Sequence, residues 1–440
     1  MKIAVIGTGV AGLGCAWLLD QRHEITVYEA ADRIGGHANT ASVAVENHAV
    51  AVDTGFIVYN ELNYPNLTRL FDHLGVATDP SDMSLGISLD DGRLEYAGDS
   101  LGGLFAQYRN LLKPSFYAML GEVLRFYRQA PRVLTDAGFA QLTLGEYLGR
   151  HGFSRHFAQR HLLPMAAAIW SCPPNQMLEF PVVSFVRFCD NHGLLKVSDR
   201  PLWRTVAGGS DEYVRRLAAP FREKVRLSTA VRSVRRSRGI VEVTDNRGGT
   251  ESYDHVVLAC HADQSARLLG DASAAEADIL GRFTYQTNRA ILHRDPRLMP
   301  RRRRVWSSWN YIARSGRDDE PASVTYWMNR LQRLNCRADL FVSLNPIEEP
   351  SDALVEREFS YDHPVFDHRS VEAQRRLPEI QGNGGVWFCG SYCGWGFHED
   401  ALSSGLAVAR ALGSAPPWHI VPTQASAVAP AEARLLEHAG

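Results

Sequence analysis

KIAVIGTGVAGLGCAWLLDQRHEITVYE, residues 2–29, decides the fold. Lys2 to Ile6 is an apolar run of strand length. Gly7-Thr8-Gly9-Val10-Ala11-Gly12 follows at once, then an apolar-periodic segment from Leu13 to Leu19. His23 to Tyr28 reads as a second strand, and Glu29 stands at its end. Strand, glycine turn, helix, strand, acid is the order of a dinucleotide-binding unit.

Each position has a physical reason. Gly7 permits the tight turn out of the strand. Gly9 lacks a Cβ, so a pyrophosphate can approach the backbone, and Gly12 lets the helix pack closely on the sheet. The helix start, with Val10 and Ala11 in its first turn, offers unpaired N–H groups and the positive end of the helix dipole to phosphates. The Glu29 carboxylate can accept from both ribose hydroxyls and disfavours a 2′-phosphate, which argues against NADP.

Bulk properties fit an ordinary enzyme. A chain of 440 residues suggests two domains and a sizeable core. Lys plus Arg is 47 against 49 for Asp plus Glu, a net charge of −2, so nothing draws the chain generally toward nucleic acid. The seven cysteines are odd in number and scattered, which suits a reducing compartment better than a disulfide framework. Cys389 and Cys393 have no second pair at metal-site spacing, so no metal is expected. No run of 18 apolar residues occurs, and the first strand starts too early to leave room for a signal peptide. A cytoplasmic protein is expected, with contact to a membrane surface left open.

Ala30 to Thr40 (AADRIGGHANT) resembles the second glycine motif of the flavin-containing amine oxidase and phytoene desaturase superfamily, where an acid, an arginine and a Gly-Gly pair follow one another. The resemblance implies FAD as cofactor, with contacts from Ala30, Arg33, Gly35, Gly36 and His37. The family usually has Arg or Lys where His37 stands, so a fixed positive charge is missing there. Val52-Asp53-Thr54-Gly55-Phe56 resembles the family's Asp-x-Gly turn, which brings Thr54, Gly55 and Phe56 near the flavin ring. Val231 falls where the family has a backbone contact to adenine.

The C-terminal motif is the second strong signal. Val386 to Gly390 (VWFCG) reads as a strand ending in glycine, and Gly394 to Ala401 (GWGFHEDA) leads into a helix over 402–412. It resembles the superfamily's final motif, whose helix N-terminus points at the flavin C2 carbonyl. On that resemblance Gly390, Ser391, Gly396, Phe397, His398, Glu399 and Ala401 are candidate FAD-binding residues. Two departures stand out. Asp400 replaces a family glycine and would repel an anionic reduced flavin if close, and Ser391 replaces an acid. The family's covalent flavin needs a cysteine before the last strand, and residues 370–388 hold none, so FAD is expected to be non-covalent.

Between the motifs, Ala41 to Val52 alternates as a strand pair, and residues 61–195 read as mainly helical and apolar. Leu101, Leu104, Phe105, Tyr108, Leu111 and Leu112 keep helical spacing, as do Phe116, Met119, Leu120, Val123, Leu124 and Tyr127. Core packing over a substrate cavity and partial contact with lipid are the two readings. Val225–Leu227, Val231–Val234, Ile240–Thr244 and Asp254–Ala259 are expected to continue the nucleotide sheet, with His261 structural. Arg304–Tyr311, Ala322–Met328 and Leu340–Leu344 read as strands. The basic run 301–304 is a solvated loop or a contact for anionic headgroups.

The fold expected is α/β, a Rossmann-type FAD-binding domain (1–60, 196–265 and 376–415) with an inserted α+β substrate domain (61–195 and 266–375) and a peripheral tail (416–440). The likeness is greatest to a bacterial subgroup of this superfamily associated with modification of lipid acyl chains. The leading expectation is an FAD-dependent oxidoreductase moving hydride from a C–H bond of a lipophilic, fatty-acyl-like substrate. The alternatives are an amine oxidase, for which Trp395 and Tyr326 would form an aromatic cage, a redox-neutral isomerase, and a non-catalytic flavoprotein partner of a lipid-modifying complex. No catalytic residue or oligomeric state is legible.

Overall fold

The opening strand–turn–helix forms as its pattern dictates. In the computed structural model, which describes residues 1–316 and 319–421, Lys2–Ile6 is the centre of a five-stranded sheet, all of whose pairings are parallel. Across the sheet run Val225–Arg226, Glu24–Tyr28, Lys2–Ile6, His255–Leu258 and Val386–Phe388. The first helix, Val10–Leu19, is buried along its whole length. It has no polar face because the sheet covers one side and the C-terminal helix His398–Ala411 covers the other.

Two expected strands leave this sheet. Val231–Ser237 and Ile240–Asp245 pair antiparallel and, with Thr250–Tyr253, form a separate three-stranded sheet. The reason is local: Arg238 and Gly239 both have positive φ and close a tight turn, and a turn that short forces antiparallel pairing. Thr40–Val45 and His48–Asp53 form the expected hairpin.

The other half is a seven-stranded mixed sheet, ordered Val355–Val365, Thr284–His293, Phe341–Leu344, Ser323–Trp327, Trp309–Ala313, Leu85–Leu89 and Leu94–Ala97. The last two strands lie inside the stretch expected to be mainly helical. Asp90-Asp91-Gly92, all at positive φ, turns one into the other. Arg304 to Ser308 precedes the strand rather than joining it, because a 3-10 turn at Arg303–Val305 comes first. Helices Pro114–Gln129 and Leu163–Trp170 pack on the sheet, and Val182–Asn191 joins them in a helical cluster above it. On the first of these Phe116, Met119, Val123 and Phe126 face inward, whereas Tyr117 faces out and Leu124 stands exposed at the rim of the cavity. Among the described residues no helix is long and apolar enough to cross a membrane.

The tail is less peripheral than expected where it is described. Trp418 stacks on Trp17 at 5.8 Å, and Val421 exchanges hydrogen bonds with the Asn66 side chain at 2.7 and 3.0 Å. The rest of the expected tail, 422–440, lies outside the described residues.

Candidate functional site

One continuous cavity of about 950 Å³ runs from the glycine turn to the helical roof. At its outer nucleotide end stand Glu29, Ala30 and the 229–231 segment, including Val231. Glu29 Oε2 accepts from the Thr8 N–H at 3.0 Å and from the Thr8 hydroxyl, and Oε1 accepts from the Ala31 N–H at 2.9 Å. The carboxylate is thus fixed at the lip of the cleft. Gly7, Gly9, Val10 and Ala11 line the floor, and Gly9 has open space where a Cβ would point. That open backbone cradle beside a helix N-terminus fits a diphosphate.

Further in, Gly36, His37, Thr54, Gly55 and Phe56 meet Gly390, Ser391, Gly396, Phe397, His398 and Ala401 around the middle of the cavity. His398 stacks on Phe56 at 3.8 Å and bonds the Tyr213 hydroxyl through Nε2 at 2.7 Å. His37, His261 and His363 gather from three separate segments, with ring centroids 5.4 and 6.3 Å from His37. His37 Nε2 is buried without a hydrogen-bond partner. Burial, then the neighbouring histidines and Arg33, holds His37 well below the usual imidazole range. His261, expected to be structural, lines the cavity and stacks on Tyr285 at 4.4 Å.

Four of the sequence candidates do not line the cavity. Gly12 is packed under Gly7. Gly35 packs against the Ala38 carbonyl and Val214, and Arg33 donates to the carbonyls of Gly36 (2.8 Å) and Ala38 (3.3 Å), so both shape the loop from behind. The Glu399 carboxylate turns away and accepts from Asn66 N (3.0 Å), Asn66 Nδ2 (2.8 Å) and Leu67 N (2.9 Å) at the start of the Pro65–Leu74 helix. Asp400 also faces away from the cavity. Its Oδ2 accepts from Trp395 N at 2.9 Å and Phe397 N at 3.1 Å, and this cap starts the last helix at His398 rather than at Leu402. The Asp400 carboxylate does not line the cavity and is occupied by this cap.

The inner chamber is apolar. Tyr326 and Trp395 both line it, but Tyr326 packs edge-on to Trp309 at 4.9 Å, and no ring contact joins it to Trp395 among the described residues. Polar points are few. The Tyr96 hydroxyl donates to the Arg160 carbonyl at 2.7 Å, so His161 Nδ1 must be the donor to Tyr96 at 3.1 Å. His161 Nε2 is then a bare acceptor, buried without a partner, and the Trp170 and Trp309 indole N–H groups are unpartnered too. These polar points carry no sequence signal, because only the fold brings them to one chamber.

Burial holds His161, His192 and His363 down at about 4 and His398 at about 3. Each is neutral when folded but titrates near 6.5 when unfolded. Stability from these groups is therefore complete above pH ~6.5 and is lost as pH falls toward the folded values, by up to about 1.4 kcal/mol per pH unit for each histidine. Urea unfolding measured across this range is expected to show that steep decline. A flat profile down to pH ~5 would contradict the burial of these rings.

A dinucleotide cleft opening onto an apolar chamber defines a flavoprotein oxidoreductase in plan. The chain belongs to the flavin containing amine oxidoreductase family, whose sequence pattern matches residues 10–330, and FAD is its cofactor. AofH of Mycobacterium tuberculosis, provisionally named a flavin-containing monoamine oxidase, is 26% identical over 268 residues. That match covers 57% of this chain and 55% of the relative, so the chain spans about half the length of the curated relatives it matches. Cyclohexylamine oxidase from Brevibacterium oxydans has the same fold, with a TM-score of 0.68, 16% identity, and coverage of 94% of this chain and 99% of that one. A CLA-producing fatty acid isomerase from P. acnes gives 0.63 and 16%, covering 92% and 96%.

Proposed function

We propose that this protein is an FAD-dependent oxidoreductase acting on a C–H bond of a lipophilic substrate, an acyl chain or a compound of similar character. FAD, held non-covalently, supplies the hydride acceptor. Residues 1–60, 196–265 and 376–415 form its cradle, and 61–195 with 266–375 form the substrate part. In the cradle Glu29 receives the ribose, the Gly9–Ala11 turn the diphosphate, and the start of the last helix, around Gly396 to His398, the ring. The chamber walls orient the chain and exclude water.

One observation carries the substrate class. The carboxylates lining the cavity are Glu29 at the nucleotide end, Asp362 beside the histidine cluster and Asp99 at the far rim. The chamber between them offers neutral imidazoles, rings and aliphatic side chains, which gives no counter-ion for an ammonium group. The unpartnered Trp170 and Trp309 N–H groups support a substrate that is apolar along its length and carries an acceptor oxygen. The seven free thiols support a cytoplasmic location.

The amine oxidase reading is favoured by the name of AofH, and isomerisation by that of the P. acnes neighbour. Anaerobic mixing of the purified yellow protein with two panels separates these readings. Acyl lipids are expected to bleach the oxidised flavin band, and mono- and polyamines to leave it unchanged. Bleaching by a simple amine with lipids inert would reverse the ranking. Conversion of a lipid with no net bleaching would favour the isomerase. Denaturation is expected to release intact FAD.

A further inference from the structure

Large apolar side chains stand exposed along one face between residues 101 and 124. Leu101 is 76% exposed, Tyr108 68%, Leu112 87% and Leu124 58%, with Leu111 and Tyr117 also exposed. Leu101, Leu111 and Tyr117 are linked through Phe105. Phe105 follows Leu101 by one helical turn, its ring lies 6.2 Å from Tyr117, and the Tyr117 hydroxyl donates to the Leu111 carbonyl at 3.1 Å. Tyr117 and Leu124 share a face of Pro114–Gln129. Single exposed apolar residues need no explanation, whereas a contiguous set marks an interaction surface.

This face is continuous with the mouth of the cavity. Leu104, Leu120 and Leu124 line the cavity, and the exposed Asp99, Val197 and Arg200 complete its far rim. Cations surround the apolar set. Arg109 and Lys113 interrupt it, and Arg304 Nη1 lies 3.0 Å from the Tyr108 hydroxyl. Within the basic run, Arg302 pairs with Glu95 at 2.6 Å and Arg303 with Asp339 at 3.3 Å. The side-chain cations of Arg109, Lys113, Arg301 and Arg304 have no carboxylate partner among the described residues, although the Arg301 backbone N–H donates to Glu95 Oε1 at 2.7 Å. Asp99, the acid at the rim, lies 3.7 Å from Arg330.

We propose that this face docks on an anionic phospholipid bilayer and turns the cavity mouth toward the acyl layer. Leu101, Leu112 and Tyr117 enter the headgroup–acyl boundary while the four uncommitted cations meet lipid phosphates. Each such cation strengthens partition to an anionic surface by about fivefold. The docking gives the proposed lipophilic substrate a dry route into the chamber and rests on that reading for its purpose, though not for its detection.

Sedimentation of the FAD-loaded full chain with vesicles tests this without turnover. Vesicles of phosphatidylcholine plus phosphatidylglycerol are expected to bind at least about tenfold more tightly than phosphatidylcholine alone, with the difference lost at high salt. Leu101→Glu with Leu112→Glu is expected to weaken binding about tenfold or more while flavin spectrum and thermal unfolding stay unchanged, since neither residue lines the cavity. Arg301→Ala and Arg304→Ala should each cost about fivefold, on anionic vesicles only. Equal binding to both vesicles, no binding, or apolar variants that bind like the parent would overturn the proposal. So would conversion of a dimer to a monomer by the double variant with no vesicle binding, which would assign the face to a second copy of the chain. Vesicle binding through this face with flavin inert to lipids would leave the docking standing and remove the substrate reading. Flavin bleached by detergent-dispersed lipid without vesicle binding would do the reverse.

Discussion

Gly9→Ala is expected to fold normally and to bind FAD at least about tenfold more weakly, whereas Gly12→Ala is expected to lose much of its folding stability. The two glycines belong to one motif, yet the structure gives them opposite roles. Gly9 has backbone angles any residue adopts, φ −64° and ψ 174°, and a Cβ there would meet nothing within 4 Å. Alanine therefore costs the free chain little, but its methyl group stands in the space the diphosphate needs. FAD affinity should fall by at least about tenfold, ~1.4 kcal/mol, with the unfolding midpoint of the FAD-free protein unchanged. A Cβ on Gly12 would lie 2.0 Å from the Gly7 carbonyl oxygen and 3.1 Å from the Ala259 Cβ. Both neighbours belong to the central sheet and its turn, so relief requires lifting the first helix off the sheet. Overpacking of this kind costs roughly 3 kcal/mol or more, a large share of a stability of about 5–15 kcal/mol. Urea titrations of both FAD-free variants, with FAD binding followed by fluorescence, check the pair. A Gly9→Ala protein that retains FAD at dilution would show that the diphosphate lies elsewhere.

That contrast marks what sequence can deliver. The spacing of Gly7, Gly9 and Gly12 is local, and each function of the turn is encoded within a few residues, so the nucleotide half was legible from the first strand onward. The hairpin at Leu85–Ala97 was equally local. Its Asp90-Asp91-Gly92 turn between alternating runs is a hairpin signal, outweighed by the helical apolar pattern that follows it. The site interior was not local. His37, His261, His363 and His398 come from four separate segments, and nothing in the spacing of any one of them announces the others. The resemblance at the C-terminal motif identified a helix pointing at the cavity. It could not say that neither of its acids lines the cavity, because Glu399 and Asp400 are adjacent in sequence and each finds its partners, Asn66 and Leu67 or the helix's own first turn, only in the fold.

Glu399 supplies the second large effect, and it separates a structural role from a cofactor role. Its carboxylate is buried and holds two backbone N–H groups, of Asn66 and Leu67, that open the Pro65–Leu74 helix and have no intrahelical acceptor. It also accepts from Asn66 Nδ2, the same side chain that receives Val421 N. Burial raises its pKa, and the donors from Leu67 and Asn66 act against that rise. Removing the side chain strands buried donors on one helix and loosens the first turn of another. Glu399→Ala is therefore expected to destabilise the protein by about 3 kcal/mol or more. Glu399→Gln keeps one acceptor oxygen but turns an amide N–H₂ toward a donor, and should lose roughly half as much. Both losses should appear in the unfolding midpoint of the FAD-free protein. FAD affinity of the folded fraction should move by less than about threefold, because the carboxylate points away from the cavity. Unchanged unfolding together with tenfold weaker FAD binding would return Glu399 to the cofactor site and would mean that the last helix is rotated from the position described.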